Sequence, residues 1–138
     1  MANHVRFPST VLATVRDARF VGVRAGRVDH RFTGIWVVVV ENRVFVRSWT
    51  MKLGGWYRTF VEEPHGAMQV DGREFRIRAR VVTGERLTAA VDRAYLEKYT
   101  TRGSVKYARG LGRGRRRATT TELMPFRTAR APRRAARA

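Results

Sequence analysis

The sequence contains no cysteine. That absence excludes disulfides, thiolate metal sites and cysteine nucleophiles together. Histidine is nearly as scarce. His4, His30 and His65 fit no metal-ligand spacing such as H-x-x-x-H, so no metal is expected. Asp and Glu number only 11. The one close carboxylate pair, Glu62-Glu63, is adjacent in sequence; in regular structure its side chains diverge, which favours a solvated pair over an acid–base couple. Ser48 lies near a strand end, but no histidine sits nearby in sequence to activate it. No catalytic residue is therefore assigned. Long apolar runs are missing as well. The longest, Ile35 to Val40, is far short of a membrane span, and Met1 to Pro8 has no apolar signal-peptide core. A soluble, cytoplasmic protein with no membrane partner is expected.

What is present suits one packed domain: 138 residues, 43% of them hydrophobic. Lys and Arg total 29, for a formal charge of +18. The excess is uneven, because twelve of those basic residues but only one acidic residue follow Thr101. Two explanations compete. A polyanion partner, either nucleic acid or a cofactor's phosphates, would use such charge. Alternatively, 26 Arg against 3 Lys, alongside many Ala, Val and Gly, is the bias that a GC-rich genome imposes. The last twelve residues lack large apolar anchors and read as a basic, flexible tail. The expected organisation is an N-terminal segment with a short helix (1–17), a barrel domain (18–125) and the tail (126–138).

Patterning along the chain is dominated by hairpins. Ser9 or Thr10, just after Pro8, caps a helix through about Val15, with Val11, Leu12 and Val15 as its apolar face. Ala18 to Arg24 alternates as a strand, and Ala25-Gly26-Arg27 turns it. Phe32 to Val40 contains the continuous run Ile35-Trp36-Val37-Val38-Val39-Val40, as expected of a strand covered on both faces. Glu41-Asn42-Arg43 turns the chain into a partner strand, Val44 to Trp49. Ala67 to Val70, the Asp71-Gly72 turn and the alternating Arg73 to Val82 form a further hairpin. Thr88 is expected to cap a helix running to Tyr99. Residues 100–117 read as Gly- and Arg-rich loop, before a last strand over Ala118 to Met124. No strand–helix–strand repeat appears, so a doubly wound parallel sheet is disfavoured. The expected fold is mainly β: a six-stranded antiparallel barrel with two or three short helices, since closure removes exposed edges. Gly110-Leu-Gly112-Arg-Gly114 is not a dinucleotide fingerprint, because Arg115 occupies the final glycine position.

Five blocks in order resemble a bacterial family catalogued only as a domain of unknown function: Ile35–Val40, Val44–Trp49, Gly55–Arg58, Ala90–Tyr99 and Arg117–Leu123. The likeness runs from about Ala18 to Pro125. That family in turn resembles the flavin- and deazaflavin-binding split β-barrel superfamily, which includes pyridoxamine phosphate oxidases, flavin reductases and deazaflavin-dependent nitroreductases. Trp56-Tyr57-Arg58-Thr59-Phe60, with Pro64 beyond, is similar to the nitroreductases' Trp-Tyr-x-Asn-Leu followed by Pro. Thr59 stands where Asn is usual and offers one hydroxyl instead of an amide's donors and acceptor.

The resemblance implies a split barrel that binds FMN or a deazaflavin at the interface of a homodimer. It would transfer hydride to a small electrophile, the cofactor supplying the redox chemistry. It also implies that phosphate-binding residues come from the hairpin region, here Arg47, Ser48, Lys52 and Arg58, which bracket a Gly-Gly loop. Arg forks and loop N–H groups suit phosphate; a solvated basic loop is the alternative reading. Trp49, Trp56 and Tyr57 either stack on a flavin ring or fill the core or an interface. Trp56 fits packing better, and Tyr57 stays open as the ring contact. Arg116 and Arg117 complete the candidate cofactor-binding set. Two other functions stay in view. One is a nucleic-acid-binding basic barrel, favoured by the charge and by the Arg76, Arg78, Arg80 stripe, though no known nucleic-acid motif is present. The other is a cofactor-free interaction protein of the same fold.

Overall fold

The computed structural model describes residues 5–26 and 30–126. Helix α1 (Ser9–Asp17) leads into β1 (Phe20–Ala25), β2 (Thr33–Trp36), β3 (Val38–Val40) and β4 (Arg43–Val46). Helix α2 (Trp56–Glu62) precedes the long hairpin β5 (His65–Val70) and β6 (Arg73–Val81). Helices α3 (Glu85–Lys98), α4 (Val105–Leu111) and α5 (Gly114–Ala118) follow, and β7 (Thr121–Pro125) closes the sheet. All neighbouring strands are antiparallel, in the order β2-β1-β5-β6-β7-β4-β3. The two edge strands, β2 and β3, are separated in sequence by Val37 alone. A sheet whose opposite edges are joined through one residue must curl on itself, so the result is a nearly closed barrel.

Among the described residues there are seven strands and five helices, not six strands and two or three helices. The extra strand arises because the Phe32–Val40 segment breaks at Val37. Its alternation explains the unbroken apolar run. Val37 packs with Val44, Val46, Met68, Ile77 and Leu123 inside the barrel, together with Val11, Leu12 and Val15 of α1. Val38 faces the opposite way, into a second cluster with Phe45, Val91, Tyr95, Tyr99 and Leu111, where α3 and α4 cover the sheet. Both faces are dry there, so both need apolar side chains. Helix α1, assigned by sequence to a separate N-terminal segment, contributes to the barrel core. The basic tail expected over 126–138 lies, past Phe126, outside the described residues, as does Arg27 of the expected Ala25–Arg27 turn.

Other boundaries shift for local reasons. Helix α1 is preceded by Pro8, with no side-chain cap from Ser9 or Thr10. Helix α3 begins at Glu85, a turn before Thr88, whose hydroxyl donates back to the Gly84 carbonyl at 2.7 Å. The Gly- and Arg-rich segment is helical because Val105, Ala108 and Leu111 recur at helical spacing; Ala108 and Leu111 are buried. Both tight hairpins have positive φ at two successive residues, Glu41-Asn42 and Asp71-Gly72, which matches the twist of the flanking strands.

The break at Val37 is held by the end of α3. Tyr99 Oη accepts from the Val37 N–H at 2.9 Å and donates to the Arg19 carbonyl at 2.7 Å. Lys98 Nζ donates to the carbonyls of Val37 (2.9 Å) and Val15 (3.2 Å). Backbone groups that leave the ladder are thereby satisfied without water. Tyr99→Phe strips this hydroxyl and leaves the buried Val37 N–H unpaired. It should lower stability by about 1–3 kcal/mol in denaturant unfolding, with an unchanged m-value.

Candidate functional site

The chain has 3 Trp, and all of them, Trp36, Trp49 and Trp56, line one cavity of about 610 Å³. The cavity opens between β1–β2, the loop from Ser48 to Gly55, the start of α2 and the inner side of α4. Its walls are mostly apolar, with hydroxyls from Thr33, Ser48, Thr50 and Thr59 and the cation of Lys52. Its size and lining fit a ligand with one flat apolar part and a few polar groups.

Each tryptophan is fixed by its neighbours. Trp36 stacks on Tyr99 with centroids 3.9 Å apart and planes 3° from parallel; the Arg19 guanidinium lies 5.6 Å from its ring. Trp49 is clamped by Arg116, whose guanidinium lies 3.5 Å from the indole centroid and whose Nε donates to the Trp49 carbonyl at 2.8 Å. Tyr107 meets Trp49 edge-on at 5.2 Å. Trp56 packs edge-on against Phe60 and Tyr57. Gly110 of α4 is required here by close approach. A Cβ on it would fall 2.8 and 2.9 Å from Cη2 and Cζ3 of Trp49. Gly110→Val should therefore expel the Trp49 ring from its seat. The expected outcome is an altered tryptophan emission with easier acrylamide quenching, and a stability loss of about 1–3 kcal/mol from overpacking.

The eight candidate residues divide sharply. Arg47, Ser48, Lys52 and Trp56 line the cavity; Tyr57, Arg58, Arg116 and Arg117 are not among its lining residues. Arg47 is the least available of the first group, because its side chain is 0% exposed. Its guanidinium donates to Thr120 Oγ1 (2.8 Å), Asp92 (2.7 Å) and the carbonyls of Leu111 (3.1 Å) and Thr88 (3.0 Å). Burial pulls its pKa down, opposed by the hydrogen bond to Asp92. Arg117 extends the network, binding Asp92 (2.9 Å) and Glu85 (2.8 Å), and those hydrogen bonds hold its pKa above the usual arginine value. Both arginines are thus committed to carboxylates of α3. Ser48 donates to the Thr50 carbonyl and receives the Thr50 N–H, so its hydroxyl shapes the loop. Arg58 reaches back from α2 to the Met51 carbonyl at 3.3 Å and ties the same loop down. Lys52 is exposed and has no carboxylate partner among the described residues, which leaves it the available cation of the cavity.

Sequence reasoning missed Trp36, Phe20, Tyr107 and Leu111 as cavity residues. Phe20 and Trp36 were legible as strand residues only. Their meeting depends on β1–β2 pairing, which places them directly opposite each other. Tyr107 and Leu111 lay in a segment read as loop.

A nearly closed antiparallel barrel, buttressed by helices and carrying an aromatic cavity beside the β4–α2 loop, defines the architectural class. Within it, the chain belongs to a bacterial family described as "Uncharacterized protein conserved in bacteria (DUF2255)", which matches residues 11–123. Among solved structures it is similar to the conserved hypothetical protein Rv2991 from Mycobacterium tuberculosis, with 14% identity and a TM-score of 0.58. The match covers 94% of this chain and 85% of that one. At that identity the likeness is one of fold. No curated protein matches the chain. Among the described residues, no helix is long and apolar enough to cross a membrane.

Proposed function

We propose that the aromatic cavity binds a flavin or deazaflavin and that the protein is a reductase-type enzyme acting on a small electrophile. The observation that carries this reading is the convergence of all three tryptophans on one cavity of about 610 Å³. Rigid indoles suit a planar tricycle, and a lysine with no carboxylate partner among the described residues suits its phosphate. The split-barrel resemblance points to the same ligand class. The residues present fit such a group. Trp36, Trp49 and Trp56 would flank the ring system, and Lys52 with the Thr50 and Gly54-Gly55 backbone would meet the phosphate. Thr59, on the cavity wall where the related motif has Asn, would offer one hydroxyl to the ring edge. When bound, the cofactor supplies hydride chemistry. The chain's own contribution is to hold the ring, exclude water from its apolar face and anchor the anionic arm. Arg47, Ser48, Arg58 and Arg116 act here by positioning: the first two brace the end of β4, Arg58 braces the loop, and Arg116 braces Trp49.

A homodimer belongs to the same proposal. Phe20 (55% exposed), Leu53 (75%) and Tyr107 (45%) stand exposed around the cavity region. A second copy seated there would cover them and narrow the opening.

The intrinsic emission of the protein tests the binding step, since every tryptophan lies at the site. Titration with FMN or with a deazaflavin should quench it saturably, and Lys52→Glu should weaken that quenching about tenfold or more by placing like charge beside the phosphate. Absence of saturable quenching with both cofactors would leave the cofactor-free interaction protein as the better reading.

A further inference from the structure

The geometry points to a second binding site, for single-stranded nucleic acid, on the outer face of the β1–β5–β6 sheet. Strand register builds it. Arg24 stands opposite Ala67, and Ala67 opposite Arg76, so one row across three strands reads Arg–Ala–Arg. Residues directly opposite share a face. Met68 and Ile77, the next residues along, point into the barrel core, so this row points out. Adjacent strands lie about 4.8 Å apart, which sets the two arginine Cα atoms about 10 Å apart across a methyl-floored trough. The trough measures about 480 Å³ and is lined chiefly by polar atoms, unlike the tryptophan cavity.

Each arginine wall is backed by an aromatic ring. The Arg24 guanidinium lies 4.5 Å from the Phe32 centroid, and that of Arg76 lies 5.9 Å from Phe126. Phe126 also meets the His65 ring at 4.6 Å, at the end of the trough. Glu74, 3.6 Å from Arg24, is the one carboxylate among the lining residues. Arg78, one step further along β6 and opposite His65, has no carboxylate partner among the described residues. Arg76 and Arg78 recur every second residue, about 6.7 Å apart, along β6, and Arg76 lines the trough. A single anion needs one such cation. A repeated row of cations alongside aromatic rings matches a chain of phosphates with unstacked bases. The cavity proposed for the cofactor shares no lining residue with this trough, so the two assignments stand or fall separately.

The test is fluorescence anisotropy of a labelled oligouridylate of about a dozen nucleotides with the full chain, across a salt series. Expected is saturable binding that weakens with salt. Arg76→Gln/Arg78→Gln together should weaken it about tenfold or more and make the logarithmic salt slope shallower by about 1.4, at ~0.7 per lost phosphate contact. Phe126→Ala should weaken it about fivefold or more with little change of slope. Both arginines are exposed, so the double variant should keep its melting temperature, and Arg76→Lys/Arg78→Lys should recover most of the affinity. Three results would overturn the assignment. One is no binding. Another is binding with affinity and slope unchanged in the glutamine double variant, which would place it on the other arginine-rich segments. The third is displacement of the oligomer by uridine monophosphate at equal concentration, which would make the trough a mononucleotide site.

Discussion

Asp92→Ala is expected to lower the free energy of unfolding by about 3 kcal/mol and the Tm by roughly 10 °C. The reason lies with its partner. Arg47 is shielded from solvent, and Asp92 is the carboxylate that touches it, at 2.7 Å. Removing that carboxylate leaves a buried cation held by a hydroxyl, two carbonyls and the face of the Tyr95 ring, with no counter-charge in contact among the described residues. A buried charge stripped of its counter-charge costs far more than the pair itself contributes. Arg117 would also lose one of its two carboxylates, but it can lean on Glu85. Asp92→Asn separates the causes. It keeps an acceptor for Arg47 and removes the charge, so it should cost less than alanine if hydrogen bonding dominates and nearly as much if charge does. Thermal and urea unfolding of the three proteins decide between them. Arg47→Met with Asp92→Ala, which removes both charges, should recover a good part of the loss.

Glu122→Ala should show a loss of similar size, again about 3 kcal/mol, with a distinct pH signature. Glu122 is 1% exposed on β7 and receives Arg43 through two hydrogen bonds, at 3.0 and 2.8 Å, and Arg80 at 2.8 Å. Burial alone would push its pKa up, but the hydrogen bonds and charges of Arg43 and Arg80 outweigh it and hold the carboxyl below the ordinary glutamate value of 4.5. A depressed folded-state pKa stabilises the fold above the unfolded value, and that contribution is lost as pH falls through the folded value. The wild-type protein should therefore lose stability steadily as pH drops below about 4.5. Glu122→Gln should be less stable at neutral pH and show a flatter profile in that acid window. A parallel pair of profiles would mean that Glu122 does not carry the acid sensitivity.

The strands were legible where two signals agreed. Arg73 to Val82 alternates in sequence, and Ile77 and Ala79 are inside, but at its end Val81 is exposed and Val82 is buried instead. The break at Val37 was not legible. A β-branched run gives no sign of a fault, and the tyrosine hydroxyl that receives the Val37 N–H comes from the end of α3, 62 residues away. Helix α4 was hidden because Gly110, Gly112 and the arginines outweighed the Val105, Ala108, Leu111 spacing; Gly110 is there for Trp49, which only the fold brings near. The candidate site was half legible. Residues of the Ser48–Trp56 segment border the cavity; the family resemblance pointed to this region, whereas its basic, hydroxyl and glycine residues alone fit a solvated loop equally well. Arg47 shows the limit of that reading. An arginine at a strand end looks the same in sequence whether it faces a ligand or a half-buried aspartate 45 residues on.

The most direct measurement is visible absorbance of the purified full-length protein after incubation with FMN or a deazaflavin and removal of excess by gel filtration, with Lys52→Glu and Gly110→Val run alongside. One chromophore retained per chain, markedly reduced in both variants, is the expected result. A colourless protein after exposure to both cofactors, with the fold intact by circular dichroism, would contradict the assignment of the tryptophan cavity to a redox cofactor.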